Sequence, residues 1–277
     1  MTVRMTQQQP ILVLGATGST GRRVADLLRA AGHPVRAASR GGAVRFDWAD
    51  PDTWEPAVSG ASRMYLMAPH ELPIDPSFVA CAVGQGVRRI VLLSSRGIET
   101  MGDERLMAAE RTVRESGAEW TVVRPDWFNQ NFDEGFFREA VTAGELALPL
   151  GEARQAFVDA DDIAAVAAAA LTGDGHAGRS YELTGPRALS FAEALAVIGR
   201  ASGRRLRFLG TEEEYLAVQV ASGASREEAA GAAAAFAALR GLGDAEPTDA
   251  VRRVTGRDPR DLESYAAEAA ARGAWRG

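Results

Sequence analysis

The sequence predicts an α/β protein built on a doubly wound parallel sheet, with a smaller and mostly helical C-terminal lobe. Three observations predict this class. Short apolar runs alternate with helical patterns through the first half of the chain, the first apolar run leads directly into three glycines, and the second half changes to helical segments. Strands that alternate with helices pair in parallel, because each helix returns the chain to the starting edge of the sheet.

Composition and charge argue against a nucleic-acid partner and against a membrane span. The chain has 277 residues and a formal net charge of −6 without a basic block, so we expect no nucleic-acid partner. No apolar run approaches the roughly 20 residues that span a membrane. The first nine residues are polar and contain no signal-peptide core, which predicts a cytoplasmic protein. Cys81 is the single cysteine, so we predict no disulfide and no metal site.

The absence of lysine excludes several mechanisms. All 31 basic residues are arginine. Lysine is the residue that forms Schiff bases, binds nucleotide phosphates in a Walker A loop and assists a catalytic tyrosine. A phosphate-binding loop of the Walker A type is therefore excluded.

The first element is a strand, Ile11–Leu14, whose apolar residues indicate burial on both faces. Gly15, Gly18 and Gly21 follow it and lead into a helix. A first glycine permits the tight turn, a second lets a pyrophosphate approach the backbone, and a third lets helix and strand pack closely. The positive end of the helix then faces the anion. Residues 11–23 therefore predict a Rossmann-type dinucleotide site.

The second strand, 35–39, indicates which dinucleotide binds. Folds that prefer NAD carry a carboxylate near the end of this strand, where it hydrogen-bonds the ribose 2′-hydroxyl. This chain has Ser39 and Arg40 instead, which suit a 2′-phosphate, and Arg22 adds a further cation. The sequence thus favours NADP(H) over NAD(H). The alternative is that both arginines are solvated surface residues.

The remaining core elements follow from the same alternation. Strands are predicted at 43–47, 63–69, 89–95 and 120–124, and helices at 52–59, 76–84 and 103–116. Ligands bind at the carboxyl ends of such strands. His70 lies in a loop there, either as a substrate contact or as a solvated side chain. The residues predicted to bind the cofactor are Gly15, Thr17, Gly18, Ser19, Thr20, Gly21, Arg22, Ser39, Arg40, Asp47, Trp48, Met67, Ala68, Pro69, Ser94 and Ser95.

Polar and aromatic residues follow the strand at 120–124 and point to a substrate rim. Residues 125–132 bring three aromatic side chains and several amides to the same edge as the cofactor, where they either line a flat pocket or cover the core. We favour the pocket. The predicted substrate residues are Arg96, Trp127, Phe128, Asn129 and Phe132.

The regular alternation ends near residue 133. Extended pieces are predicted at 145–149, 156–158, 181–184 and 205–209, and helices at 159–171 and 191–200, the latter capped by Ser190. Residues 211–272 are helical in pattern. We therefore predict a core at 1–132 and a substrate-covering lobe at 133–277, with 156–185 packing back on the core in one continuous domain.

The chain resembles the NmrA-like group of atypical short-chain dehydrogenases/reductases. The resemblance is carried by 15–21 (GATGSTG), 44–48 (VRFDW), 87–95 (VRRIVLLSS), 119–132 (EWTVVRPDWFNQNF), 181–186 (YELTGP) and 254–260 (VTGRDPR). The last two are most similar to ergot-alkaloid reductases of the agroclavine dehydrogenase and festuclavine synthase type and their bacterial relatives. The resemblance implies an NADPH-dependent reductase of a polycyclic or quinone-like molecule in natural-product biosynthesis.

The chain departs from the catalytic pattern of the superfamily. Classical members pair a tyrosine with a lysine four residues later as proton relay. None of the four tyrosines lies in the helix at 103–116 where that pair belongs. Hydride transfer to an acceptor that is already electrophilic, such as a quinone, ketone or iminium, remains feasible by positioning alone. The catalytic residue stays unknown. Arg96, Glu110 and Asp126 are candidates by location, and each is alternatively a structural contact.

A second hypothesis is a redox sensor that binds NADP(H) and acts through a protein partner. It shares the glycine motif and the missing catalytic pair, but it does not require aromatic residues around a pocket. An isomerase or lyase that uses bound cofactor is a further alternative. The oligomeric state stays open, with a homodimer as one option.

Overall fold

The computed structural model describes residues 9–69 and 72–276. Its strands are β1 (Ile11–Leu14), β2 (Val35–Ser39), β3 (Val44–Arg45), β4 (Arg63–Met67), β5 (Arg89–Leu93), β6 (Glu119–Pro125), β7 (Glu145–Ala147), β8 (Arg179–Leu183) and β9 (Arg207–Leu209). Within the described residues, seven strands form one sheet in the order β3-β2-β1-β4-β5-β6-β8, and β7 pairs with β9.

The strand order places a switch point at β1. β1 pairs in parallel with β2 on one side and with β4 on the other, and β4, β5 and β6 continue in parallel. The connection direction therefore reverses beside β1, which opens a crevice at the carboxyl ends of β1 and β4. The prediction of a Rossmann-type parallel sheet with C-terminal helices is confirmed.

The helices lie close to their predicted positions. They are α1 (Ser19–Ala30), α2 (Trp54–Val58), α3 (Pro76–Gly84), α4 (Ile98–Met101), α5 (Glu104–Arg114), α6 (Arg138–Ala143), α7 (Ala160–Thr172), α8 (Phe191–Ser202), α9 (Glu212–Ala221), α10 (Arg226–Gly241), α11 (Ala250–Thr255) and α12 (Leu262–Ala271). Ser190 caps α8 as predicted, in a reciprocal capping box with Glu193. Among the described residues, no helix is both long and apolar enough to cross a membrane.

Some element ends differ from the prediction. β4 ends at Met67, two residues before Pro69, because proline has no N–H to donate to a sheet. β5 ends at Leu93 rather than Ser95. The extended piece at 156–158 forms only one isolated bridge, between Phe128 and Val158. These shifts shorten the strands without changing their order.

The described residues divide into two compact units. The first unit comprises the chain up to Ser95 with Glu104–Arg124 and Ile163–Tyr181, and the second unit comprises Arg96–Asp103, Pro125–Asp162 and the chain from Glu182. The bounds of these units do not coincide with residue 132. The division into a core at 1–132 and a lobe at 133–277 stays a prediction.

Each unit has its own core. In the first unit, fully buried aliphatic residues of β1, β4 and β5 pack with Phe46 and Phe78. In the second unit, aromatic rings form the centre: Phe132, Phe137, Phe157 and Phe191 lie within 6.1 Å of one another in successive pairs.

Candidate cofactor and substrate sites

The glycine turn after β1 is close-packed at each of its three glycines. Gly15 has φ +62°, in the left-handed region that favours glycine. A Cβ on Gly21 would lie 2.2 Å from the carbonyl oxygen of Gly15, and one on Gly18 would lie 3.3 Å from it. The N–H of Gly18 donates to that same carbonyl at 2.8 Å. Only glycine at position 21 therefore allows α1 to approach the strand this closely.

The start of α1 is suited to an anion. Within the described chain, no side chain caps this helix and no carboxylate lies in its first turn, so the positive end of the helix dipole is not neutralised. The hydroxyl of Tyr65 donates to Thr20 Oγ1 at 2.9 Å and fixes the first turn against β4. Burial raises the pKa of the Tyr65 phenol, although its hydrogen bond to Thr20 acts in the opposite direction. Tyr65 therefore remains a neutral, structural donor.

The end of β2 presents Ser39 and Arg40. The carbonyl of Ser39 accepts the N–H groups of Gly42 and Phe46 at 3.3 and 3.1 Å, which closes a tight turn. A Cβ on Gly42 would lie 2.7 Å from Ser39 Oγ, so glycine leaves room for that hydroxyl. Arg40 is exposed, and no ion pair joins it to any residue that the structure describes. The turn thus offers a hydroxyl and a solvated cation.

Asp47 and Trp48 belong to a hydrogen-bonded loop after β3. The carbonyl of Asp47 accepts from Trp54 Nε1 at 3.0 Å, and its carboxylate accepts the N–H of Ala49 at 3.1 Å. The indole of Trp48 packs edge-on against Phe46, 4.8 Å between centroids. Both side chains are half-buried, so each combines a structural role with a surface on which a cofactor could lie.

The end of β4 abuts the glycine turn. Met67 Sδ lies 3.1 Å from the position that a Cβ on Gly15 would take, which brings two of the predicted cofactor residues together. Ala68 and Pro69 follow half-buried, and the carbonyl of Pro69 accepts from Arg105 Nη1 at 2.8 Å. His70 lies outside the described residues.

Glu110 forms the centre of a buried ion-pair network that sequence reasoning missed. Its Oε1 accepts from Ser94 Oγ and from Arg124 Nε, both at 2.7 Å. Its Oε2 accepts from Arg124 Nη2 and Arg114 Nη2, both at 2.8 Å. Glu110 is only 2% exposed. Two arginines and a hydroxyl use both carboxylate oxygens, which is the arrangement of a structural anchor between β5, β6 and α5 rather than of a proton donor.

In the second unit, Arg96 lies between two carboxylates. Its Nη1 is 3.3 Å from Asp126 Oδ2, and its Nε is 3.3 Å from Glu182 Oε2. The same Nη1 donates to the carbonyl of Glu246 at 3.1 Å. The backbone N–H of Arg96 donates to the carbonyl of Pro125, which joins the chain after β5 to the end of β6. The structure therefore brings together two of the residues predicted to hold substrate or move a proton.

Asp126 is buried beside this arginine. Its Oδ1 accepts the N–H of Trp127 at 2.8 Å. Burial raises the pKa of the Asp126 carboxyl above its usual range, and the N–H of Trp127 and the charge of Arg96 oppose the rise. Asp126 can therefore hold a proton at a higher pH than an exposed aspartate.

The aromatic residues of 125–132 differ in burial. Trp127 is half-buried, with Phe137 and Phe191 at 5.6 and 5.5 Å on the core side. Phe128 is also half-buried. Phe132 is fully buried in the aromatic core, and its carbonyl accepts from Trp275 Nε1 at 2.8 Å. The structure thus corrects the prediction for Phe132, which packs in the core rather than at a pocket surface.

Asn129 is fully buried, and neither its Oδ1 nor its Nδ2 has a hydrogen-bond partner among the described residues. The adjacent Gln130 is also buried, but its Nε2 donates to Asp159 Oδ1 at 3.1 Å and its Oε1 accepts the N–H of Ala160 at 2.8 Å. An unsatisfied buried amide is costly. The structure therefore corrects the prediction for Asn129 as well, because its side chain is buried rather than at a substrate surface.

The two late segments that carry the family resemblance have structural roles. Arg260 approaches Asp159 and Asp161 at the start of α7, at 3.6 and 3.7 Å, and its N–H donates to Asp162 at 2.7 Å. A Cβ on Gly185 would lie 2.0 Å from the carbonyl oxygen of Phe157. Gly185 and Arg260 thus fix the chain at the start of α7, which gives both segments a packing role.

A separate cavity of about 520 Å³ lies in the second unit between α8 and β9, lined mainly by Ala192, Leu195, Leu206 and Phe208. It contains none of the residues predicted from the sequence. Polar side chains at its rim, Glu152 and Arg207, are exposed.

Comparison with known proteins places the chain in a family of reductases. The model of the NmrA-like family matches residues 7–266. The uncharacterized oxidoreductase YesF of Bacillus subtilis is 37% identical over 96% of this chain and 97% of its own length. NAD(P)H azoreductase of Xenophilus azovorans is 34% identical over 95% and 99%. Festuclavine synthase I of Penicillium roqueforti is 29% identical over 92% and 96%, which confirms the predicted resemblance to the ergot-alkaloid reductases.

The fold is also that of solved structures. An NADPH-dependent quinone oxidoreductase from Escherichia coli, complexed with NADPH, superimposes with a TM-score of 0.72 at 21% identity, covering 93% of this chain and 99% of that one. At this identity the likeness concerns the fold.

Proposed function

This chain belongs to the NmrA-like family, and we propose that it transfers hydride from NADPH to a planar, electrophilic small molecule. The acceptor class is a polycyclic aromatic, quinone-like, ketone or iminium compound of natural-product metabolism. As a member of this family the protein is an NAD(P)H-dependent oxidoreductase. Relatives named as an azoreductase and a festuclavine synthase support the choice of a conjugated acceptor.

The first unit fits a dinucleotide. A Cβ on Gly21 would lie 2.2 Å from the carbonyl oxygen of Gly15, so α1 and the end of β1 are as close as glycine allows. α1 also begins without a capping side chain. In the proposal, the turn and the start of α1 hold the pyrophosphate, and Ser39 with Arg40 holds the 2′-phosphate. The absence of a carboxylate beside Ser39 is the reason to prefer NADPH over NADH.

The second unit supplies the groups for a carbonyl or iminium acceptor. When bound, NADPH supplies the hydride. Arg96 is positioned by Asp126 and Glu182 and would bind an acceptor oxygen on which negative charge develops. The buried Asp126 carboxyl, with its raised pKa, would hold the proton that the reduced oxygen or nitrogen requires. Trp127 would support the flat face of the molecule.

The observation that carries the proposal is the glycine turn, which has no room for any other residue at position 21 and leads into an uncapped helix. The test uses purified protein with NADPH and a panel of polycyclic quinones, cyclic ketones and iminium salts, and follows the absorbance of NADPH near 340 nm. We expect oxidation with at least one class of acceptor. Tight binding of NADPH without oxidation across the panel would instead favour a redox sensor, and a failure to bind either nicotinamide cofactor would refute both functions.

A further inference from the structure

The chain at the end of β4 is held tightly at its start. Met67, the last residue of β4, and the two residues after it, Ala68 and Pro69, lie at the carboxyl edge of the sheet beside the switch point; we call these three residues the β4 exit segment. Met67 Sδ lies 3.1 Å from the position that a Cβ on Gly15 would take. Proline fixes its own φ and restricts the residue before it to extended backbone. The segment therefore has little conformational freedom once Met67 packs on the glycine turn.

Arg105 holds the other end of this segment. Its Nη1 donates a hydrogen bond to the carbonyl oxygen of Pro69 at 2.8 Å. Because β4 ends at Met67, this carbonyl is bonded by a side chain rather than by a neighbouring strand. A charged donor makes a stronger hydrogen bond than a neutral one. The β4 exit segment is thus fixed by Gly15 at one end and by Arg105 at the other.

The place of Arg105 in its own helix indicates that its role lies outside that helix. Arg105 is in the first turn of α5, where the helix dipole disfavours a cation. The helix is itself held on the sheet by the buried Glu110, which accepts hydrogen bonds from Ser94 after β5 and from Arg124 of β6. Arg105 is therefore carried by an element that is fixed to the sheet, as a side chain that orients its neighbours requires.

The strand order indicates which half of a dinucleotide would meet the β4 exit segment. In the proposed function, the pyrophosphate lies at the glycine turn after β1, and the 2′-phosphate lies at Ser39 and Arg40 after β2. β2 and β4 pair with β1 on opposite sides. A dinucleotide that crosses the end of β1 with its adenosine half toward β2 therefore has its nicotinamide half toward β4.

We propose that Arg105 is a positioning residue for the nicotinamide half of the cofactor. By bonding the Pro69 carbonyl, Arg105 keeps the β4 exit segment in the conformation against which that half lies. Less of the chain then has to be ordered when the cofactor binds, which lowers the cost of association. The proposal rests on the proposed function, because the direction in which the cofactor lies is taken from it. Arg105 acts through the backbone of Pro69 rather than on the reacting atoms.

The test compares two ligands by isothermal titration calorimetry: NADPH, and adenosine 2′,5′-bisphosphate, which contains only the adenosine half. Arg105→Met keeps an unbranched apolar side chain and removes the guanidinium. We expect the Kd of NADPH to rise roughly two- to tenfold, the effect of leaving one segment to be ordered on binding. The Kd of adenosine 2′,5′-bisphosphate should change by less than about twofold. A general weakening of the fold would instead raise both Kd values alike.

Two further variants complete the comparison. Arg105→Lys keeps a cationic donor and should bind NADPH more tightly than Arg105→Met does. Should Arg105→Met fail to fold, as judged by circular dichroism, Arg105→Gln replaces it. The matched control is Arg111→Met, which makes the same substitution at an exposed arginine of α5 that lies 4.0 Å from Glu104. We expect this control to bind both ligands like the wild-type protein.

Three results would overturn the role of Arg105. They are an unchanged Kd for NADPH in Arg105→Met, losses of equal size for the two ligands, and a loss in Arg111→Met as large as that in Arg105→Met.

The binding measurement separates this proposal from the proposed function, because no acceptor and no turnover are involved. A protein that binds NADPH in an Arg105-dependent way but oxidises it with no acceptor would keep the positioning role and lose the reductase. A protein that oxidises NADPH with quinones but binds NADPH equally well without Arg105 would do the reverse. A wild-type protein that binds no NADPH would overturn both.

Discussion

Replacement of Asn129 by leucine is predicted to stabilise the protein. Asn129 is 0% exposed, and both polar atoms of its amide lack a partner in the described structure. Burying a polar group without a hydrogen bond costs about 1–3 kcal/mol. Leucine has a similar shape and no polar atom, so Asn129→Leu should raise the free energy of unfolding by about 1–3 kcal/mol. At about 2–4 °C per kcal/mol for a chain near this size, Tm should rise by roughly 2–12 °C.

The neighbouring Gln130 provides the control. It is as buried as Asn129, yet its amide is satisfied on both sides by Asp159 and by the N–H of Ala160. Gln130→Leu leaves the N–H of Ala160 without its acceptor and removes one of the two donors to Asp159 Oδ1, which keeps the N–H of Asp161. It should lower the free energy of unfolding by about 1–3 kcal/mol. Both variants are compared by urea unfolding followed by circular dichroism. A loss of stability in Asn129→Leu comparable to that in Gln130→Leu would show that the Asn129 amide is satisfied in the folded protein, and the reasoning would be wrong.

Two further predictions concern the buried carboxylates Asp126 and Glu110. If Asp126 supplies the proton, kcat should be constant at low pH and fall as pH rises through the raised pKa of Asp126, because only the protonated carboxyl can donate. Asp126→Asn should remove this fall from the pH profile of kcat. A wild-type kcat that does not depend on pH would exclude the role. Glu110→Ala should cost about 1.5–3 kcal/mol of unfolding free energy, because it removes the charged hydrogen bonds that the half-buried Arg124 makes to Glu110. The affinity for NADPH of the folded fraction should change less than twofold, and a stable but inactive Glu110→Ala protein would instead make Glu110 catalytic.

The sequence predicted the structure best where the backbone requires one particular residue type. Gly15, Gly18 and Gly21 predict the turn because their spacing reports on φ and on close approach, both of which are local. The apolar strands β1 and β4 are equally clear from their composition. The parallel pairing of the strands follows as well, because strands with helical connections leave few topologies.

Long-range contacts account for what could not be predicted. Glu110 is a single acidic residue in a helical pattern, and nothing local shows that Arg124, fourteen residues later, reaches both of its oxygens. Phe132 and Trp127 have the same aromatic character in sequence, but only the packing of the second unit buries one and leaves the other half-exposed. Phe236 lies in an alanine-rich helix with no indication that Trp127 is beside it.

The most direct test of the central claim is the affinity of the protein for NADPH and NADH, before and after Arg40→Ala. The structure leaves the Arg40 side chain exposed at the end of β2, where a 2′-phosphate would form a charged hydrogen bond worth about 1.5–3 kcal/mol. Arg40→Ala should therefore weaken NADPH by about one to two decades in Kd and change NADH by less than twofold. Arg45→Ala is the matched control. It removes an exposed arginine of β3 that pairs with Asp50, and it should leave both affinities unchanged. Equal losses for NADPH and NADH, or wild-type affinities that favour NADH, would contradict the account.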